Sequence, residues 1–161
     1  MSAGADEGRI AQISVSAGGV PKRAVEAGTV TALGLEGDAH DYKDHGGPDR
    51  ALCLFALERI HELQAEGHTV APGAMGENVT IEGLDWSRVA PGVRLALGGA
   101  VLVEVTRYTS PCFKIAPLFR GRDFARVSQK SHPGSSRVYG RVLRTGAVRA
   151  GDPVRLLVPG A

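Results

Sequence analysis

Glycine and proline divide this chain so finely that no long regular element fits into most of it. The sequence holds 22 Gly and 9 Pro in 161 residues, and both residue types interrupt helices and favour turns. Short strands joined tightly satisfy that spacing, whereas a helical bundle does not. Apolar side chains at Ile10, Ile13 and Val15 mark a first strand over 9–16, ended by Gly18-Gly19. Further strands are expected over 29–33, 78–81, 93–97, 100–106, 137–144, 147–148 and 153–158. Gly98-Gly99 reads as a two-residue hairpin turn, which needs positive φ.

One stretch has helical spacing. Leu52, Phe55, Leu57, Ile60 and Leu63 predict a helix over 51–66, with Asp49 as its N-cap and Gly67 as its stop. Residues 124–135 read as irregular. The expected fold is therefore mainly β: a closed or nearly closed β-barrel, which removes exposed strand edges, with one principal helix and short additional helical segments. A sandwich gives the same periodicity. The length fits one domain, 1–161, with a core over about 9–158.

Charge narrows the partners. Lys and Arg number 19 against 17 Asp and Glu, a net +2, too balanced to hold nucleic acid or an anionic membrane through the bulk field. Any anion site must be local. The first ten residues lack the basic and apolar regions of a signal peptide. Apolar runs such as 51–57 fall far short of the roughly 20 residues that span a bilayer. Two cysteines, Cys53 and Cys112, do not make a disulfide framework. These features point to a reducing, cytoplasmic setting.

Cys112 is the foremost chemical candidate. It follows the strand over 100–106 in Arg107-Tyr108-Thr109-Ser110-Pro111-Cys112-Phe113-Lys114, where Pro111 ends ladder pairing. Arg107 and Lys114 favour a thiolate, the form that ligates soft metals or attacks electrophiles. The bland alternative is a small buried hydrophobe, and Cys53, within the apolar helical stripe, suits that role better. The loop 37–50 is dense in polar groups, among them Asp38, His40, His45 and Arg50. Its Asp-x-His and His-x4-His spacings match no standard zinc motif. Gly46-Gly47-Pro48 offers backbone amides ahead of the expected helix, an arrangement suited to phosphate, with Arg50 as charge partner. Asn78, in Gly76-Glu77-Asn78, either satisfies a turn backbone or contacts a ligand. His61, His68 and His132 read as surface residues.

Several motifs occur together in one order: Gly-Leu-Glu-Gly-Asp-Ala-His (34–40), His-Gly-Gly-Pro-Asp-Arg-Ala (45–51), Gly-Glu-Asn (76–78), Ser-Pro-Cys-Phe-Lys (110–114) and a segment from Tyr139 to Asp152. Together they resemble the MOSC domain, the module named for the C-terminal part of molybdenum cofactor sulfurases. The resemblance implies a β-barrel that holds a pyranopterin molybdenum cofactor, with Cys112 as the catalytic thiol and molybdenum ligand or as a sulfur-carrying group. It places the pterin and its phosphate near Asp38, His40, His45, Gly46, Gly47, Arg50, Asn78 and Lys114. Members of the stand-alone bacterial type are associated with reduction of N-hydroxylated bases, using electrons from a separate donor protein. The segment Thr106-Arg107-Tyr108-Thr109-Ser110 departs from the Gln-Pro-Arg type expected before Pro111. A second function compatible with the resemblance is a carrier that passes sulfur, received from a sulfur donor onto a Cys112 persulfide, or the cofactor itself, without reductase turnover.

Overall fold

The structure, a computed structural model, describes residues 6–18, 20–38 and 48–157. Its frame is a closed barrel. The strands are β1 (Glu7–Val15), β2 (Arg23–Val25), β3 (Ala27–Thr31), β4 (Gly34–Leu35), β5 (Leu52–Ala56), β6 (Val79–Glu82), β7 (Arg94–Leu97), β8 (Val101–Tyr108), β9 (Val138–Arg144), β10 (Gly146–Arg149) and β11 (Pro153–Leu157). Around the barrel the order is β11, β7, β8, β9, β5, β6 and β1, and β1 pairs with β11 to close the ring. That closure excludes a sandwich. Neighbours are antiparallel except β5 and β6, which run parallel. β2 extends the sheet beyond β1, and β10, β3 and β4 form a second, three-stranded sheet.

The first strand shows how sequence becomes barrel. Strict alternation would turn Ile10 and Ile13 to opposite faces. A register shift between Ile10 and Gln12 against β6 changes the parity, as a β-bulge does. Ile10 and Ile13 are consequently both buried, along with Val15. β8 alternates regularly, burying Val101, Val103 and Val105 against Leu95, Leu97, Val138, Val154 and Leu156.

The expected helix over 51–66 divides in two. Residues Leu52–Ala56 form β5, and the α-helix α1 covers only Leu57–Ala65. Every residue of β5 is buried, because β6 and β9 flank it and packed layers cover both faces. A short continuous apolar run serves such a strand as well as a buried helix. Asp49 is accordingly no N-cap. It lies in a 3-10 turn, Pro48–Arg50, and Ala56 caps α1 without a side-chain hydrogen bond. The hairpin between β7 and β8 also differs from expectation. Leu97 pairs with Val101, leaving three connecting residues, and only Gly98 among them has positive φ. Residues 113–127 form short 3-10 turns, Phe113–Leu118, Arg120–Arg122 and Phe124–Val127, so part of the stretch read as irregular is helical.

Gly34 joins the second sheet to the barrel. Its φ is +125°, and a Cβ there would lie 2.4 Å from the Ala51 carbonyl oxygen. Only glycine permits that approach. It brings β4 against the start of β5, so the two ends of the polar loop, at Asp38 and Pro48, leave from one side of the barrel.

Candidate functional site

At that mouth, one hydrogen-bonded row crosses five chain segments. Ser14 N–H donates to the Asn78 carbonyl at 2.8 Å, and Asn78 N–H donates to the Cys53 carbonyl at 2.7 Å. Cys53 pairs with Tyr139 across β5 and β9. Beyond Tyr139, Thr109 N–H donates to the Arg137 carbonyl at 2.9 Å. The end of β1, the starts of β5, β6 and β9, and the exit of β8 are thereby held together, and the exit of β8 leads to Cys112.

Asp38 and Asn78 form the brace of this mouth. Lys22 Nζ donates to the two Asp38 oxygens at 2.7 and 2.6 Å, with side chains only 6% and 2% exposed. Ser16 N–H donates to Asp38 Oδ1 at 3.0 Å, and Asn78 Nδ2 donates to Oδ2 at 2.8 Å. Asn78 Oδ1 accepts from Cys53 N–H at 3.0 Å. Both ends of the Asn78 amide are therefore engaged within the protein, and the Asp38 carboxylate is enclosed. They hold the polar loop's root and the entry of β6 rather than presenting open groups.

The two cysteines separate by environment. Cys53 is buried, with Sγ 3.9 Å from Thr109 Oγ1. Burial pushes its thiol pKa up, against the opposing field of Arg137. It sits on a strand, not in the helical stripe expected for it, but its apolar enclosure is as anticipated. Cys112 is partly exposed and extended, with φ −132° and ψ 169°. Its carbonyl accepts from Ile115 N–H at 3.2 Å and opens the turn Phe113–Leu118. Phe113, beside it, is 66% exposed, and Lys114 is half-buried. Alkylation of the native protein with iodoacetamide is therefore expected to label Cys112, with Cys53 labelled only after unfolding. Peptide mass mapping of the two states checks this; equal labelling of both thiols in the native state would contradict it.

Arg50 and Tyr139 complete the exposed side. The Arg50 guanidinium lies over the Tyr139 ring, 5.5 Å from its centroid. The turn carrying Arg50 is pinned to the barrel at Asp49: its carboxylate accepts from Arg141 at 2.9 and 2.6 Å, and its carbonyl accepts from Thr106 Oγ1 at 2.5 Å. Burial raises the Tyr139 phenol pKa, and the charges acting on it include Cys53, Arg137, Arg50 and Cys112.

Inside lie Glu77 and Arg137, both buried. Arg137 Nη1 donates to the Met75 carbonyl at 2.7 Å. Its Nε, and both Glu77 carboxyl oxygens, lack a hydrogen-bond partner among the described residues. Burial pushes the Glu77 carboxyl pKa up, opposed by the nearby N–H groups of Glu77, Gly73 and Met75 and by Arg137.

His40, His45, Gly46 and Gly47 lie outside the described residues. Among the described residues, no three His, Cys, Asp or Glu side chains gather into a metal site. His61 and His132 are exposed as expected, whereas His68 packs on Phe119 with ring centroids 5.0 Å apart and accepts from Arg120 N–H. Sequence reasoning passed over Lys22, Glu77, Arg137 and Tyr139 as site residues. The Cys53–Tyr139 pairing is hidden while 52–56 reads as helix, and Glu77 stands in the Gly-Glu-Asn motif beside the more conspicuous Asn78.

The MOSC domain family matches residues 41–155. The chain belongs to the MOSC family. YiiM of Escherichia coli is 35% identical over 133 residues, covering 80% of this chain and 58% of YiiM. YflK of Bacillus subtilis is 34% identical over 129 residues, covering 78% of this chain and 57% of YflK. A protein of Gibberella moniliformis named as a reductase is 32% identical over 132 residues, covering 79% of this chain and 23% of that protein. This MOSC chain thus spans less than three fifths of each of these relatives. The crystal structure of Escherichia coli YiiM superposes with a TM-score of 0.70 at 31% identity, covering 95% of this chain and 71% of that one. Both proteins share the barrel.

Proposed function

We propose that this MOSC protein is a molybdenum-cofactor-dependent oxidoreductase that reduces N-hydroxylated bases or related N-oxygenated compounds, with electrons from a separate donor protein. The observation that carries this reading is the separation of the two thiols. One is enclosed, and Cys112 stands partly exposed past the exit of β8, two residues before the half-buried Lys114. The donor set fits a metal that arrives with its own organic ligand: there is one accessible thiol and, among the described residues, no multidentate protein site. The reductase name of one relative supports the same direction. The two free cysteines, and the lack among the described residues of any helix long and apolar enough to cross a membrane, accord with a reducing cytoplasmic setting.

Cys112 would hold the metal, and Arg50 and Lys114 would hold anionic parts of the cofactor. When bound, the cofactor supplies two-electron redox chemistry. The chain's own contribution is to orient and enclose. The Lys22–Asp38–Asn78 brace fixes the root of the polar loop, and the Asp49 contacts present Arg50 over Tyr139. An exposed aromatic ring at Phe113 offers a face on which a planar base can stack.

Arg50→Ala is expected to weaken cofactor retention by about 1.5–3 kcal/mol, the range for a hydrogen bond to a charged group. Comparing cofactor dissociation with the melting temperature of the apoprotein checks it. Unchanged dissociation together with a lower melting temperature would assign Arg50 to bracing instead. The reading as a whole is tested with protein made in a host that synthesises the cofactor, assayed with a reduced dye and an aromatic hydroxylamine. Turnover by molybdenum-loaded protein supports the reductase; loading without turnover, or labile sulfur on Cys112, supports a carrier.

A further inference from the structure

The chain's small net charge hides a segregation. Residues 107–130, which run from near the end of β8 through Cys112 and the 3-10 turns, hold six Lys and Arg against one acid, Asp123. That makes the segment +5, and the chain's net +2 leaves the remainder at −3. β8 and β9 pair as far as Tyr108 and Val138, so the residues between them form one excursion from the end of a strand pair. The excursion folds as a cap. Cys112 opens its first turn, Phe113–Leu118, which packs against both later turns, Arg120–Arg122 and Phe124–Val127. Thr69 N–H donates to the Leu118 carbonyl at 2.8 Å and Arg120 N–H donates to His68, seating the cap beside the C-terminal end of α1.

Nearby acids do not neutralise this cap. Glu66 accepts from Arg126 through both oxygens, at 2.8 and 2.7 Å, and Glu62 accepts from Arg59. Arg107, Arg120, Arg122 and Lys130 are exposed, and among the described residues none of them pairs with a carboxylate. Arg120 has a local role, because its Nη1 donates to the Glu66 carbonyl at 3.3 Å. Arg122 makes no side-chain hydrogen bond among the described residues. Its φ of +59° follows Gly121 at +64°, a left-handed corner that glycine would turn with less strain. The charge is therefore what this residue supplies, at the expense of local strain. A small anion would need donors converging in a concave site, whereas these cations are exposed and spread along the cap. What they create is a field, which speeds encounter with a macromolecule of opposite charge.

We propose that this cap is the docking surface for a small acidic electron-transfer protein, which delivers electrons beside Cys112. This rests on the reductase reading and adds where the donor binds and what charge it carries. The reaction is R–NH–OH + 2e⁻ + 2H⁺ → R–NH2 + H2O: the N–O bond breaks, an N–H bond forms, and both protons come from solvent. A one-electron donor must dock twice in each turnover and leave each time. Steering by exposed charge serves such brief encounters, whose interfaces are small.

The test uses cofactor-loaded protein with reduced flavodoxin as the acidic donor and reduced methyl viologen, a small cation, as the control. The double variant Arg122→Glu/Lys130→Glu is expected to raise the KM for flavodoxin about tenfold or more at low ionic strength, with viologen-driven turnover and molybdenum content within about twofold of wild type. On the same purified proteins, titration with oxidised flavodoxin is expected to show wild-type binding that weakens steeply as ionic strength rises from about 0.02 to about 0.3 M, and far weaker binding by the variant throughout. If the double variant does not fold, Arg122→Gly removes one charge and relaxes the corner. It is expected to raise the same KM by a smaller factor without lowering the melting temperature. A wild type that does not bind flavodoxin at low ionic strength, or binds it regardless of salt and of these substitutions, overturns the docking surface alone. Binding to phosphatidylglycerol vesicles in place of flavodoxin also overturns it and assigns the cap to a membrane. A loaded wild type that reduces no hydroxylamine with viologen overturns the reductase reading and this proposal with it.

Discussion

Asp38→Ala is expected to destabilise the protein by about 3–5 kcal/mol, the cost of leaving one partner of a buried ion pair uncompensated. The substitution strands the Lys22 ammonium, whose side chain is 6% exposed. It also removes the acceptor of Ser16 N–H and Asn78 Nδ2. Asn78 in turn binds Cys53, so the loss reaches the junction of β5 and β6. For a domain of this size the melting temperature is expected to fall by about 6–20 °C. Adding Lys22→Met to the variant is expected to recover part of that loss, because the stranded charge is then gone. Urea unfolding of the single and double variants measures both effects. A loss below about 1 kcal/mol, as for an exposed ion pair, would show that the pair is not enclosed.

Cys112→Ser is expected to have the largest functional effect, bringing molybdenum content and N–O reduction to background. The same sulfur-to-oxygen exchange at Cys53 is expected to leave both within about twofold of wild type and to alter stability alone. The contrast follows from placement: Cys53 is enclosed at 7% exposure beside Thr109, and Cys112 opens an irregular segment at the mouth. Metal analysis and turnover of the paired variants decide it.

Much of the barrel was legible in the chain because its strands end at glycines and its exposed faces are polar. β8 and β11 alternate cleanly, and the sequence bounds fall within two residues of the observed ones. β5 was not legible. A strand buried on both faces has no polar side to reveal its period, and Leu52 and Phe55 happen to continue the spacing of α1. The bulge in β1 was equally silent, since it depends on pairing with β6. Among the candidate residues, Cys112 is marked out in the sequence by its proline and basic neighbours. Asp38 and Asn78 were recognisable as important from their motifs, but their engagement with Lys22, Ser16 and Cys53 arises only when segments distant in sequence meet. Tyr139 and Arg137 gain meaning only from the register of β9 against β5 and from the contact with Met75.

The most direct measurement is the molybdenum-to-chain ratio of wild type and Cys112→Ser, purified from one cofactor-synthesising host, with hydroxylamine reduction assayed on the same samples. The expected result is a ratio approaching one with turnover for wild type, and neither for the variant. Equal molybdenum content and equal rates in the two proteins would contradict the assignment of Cys112.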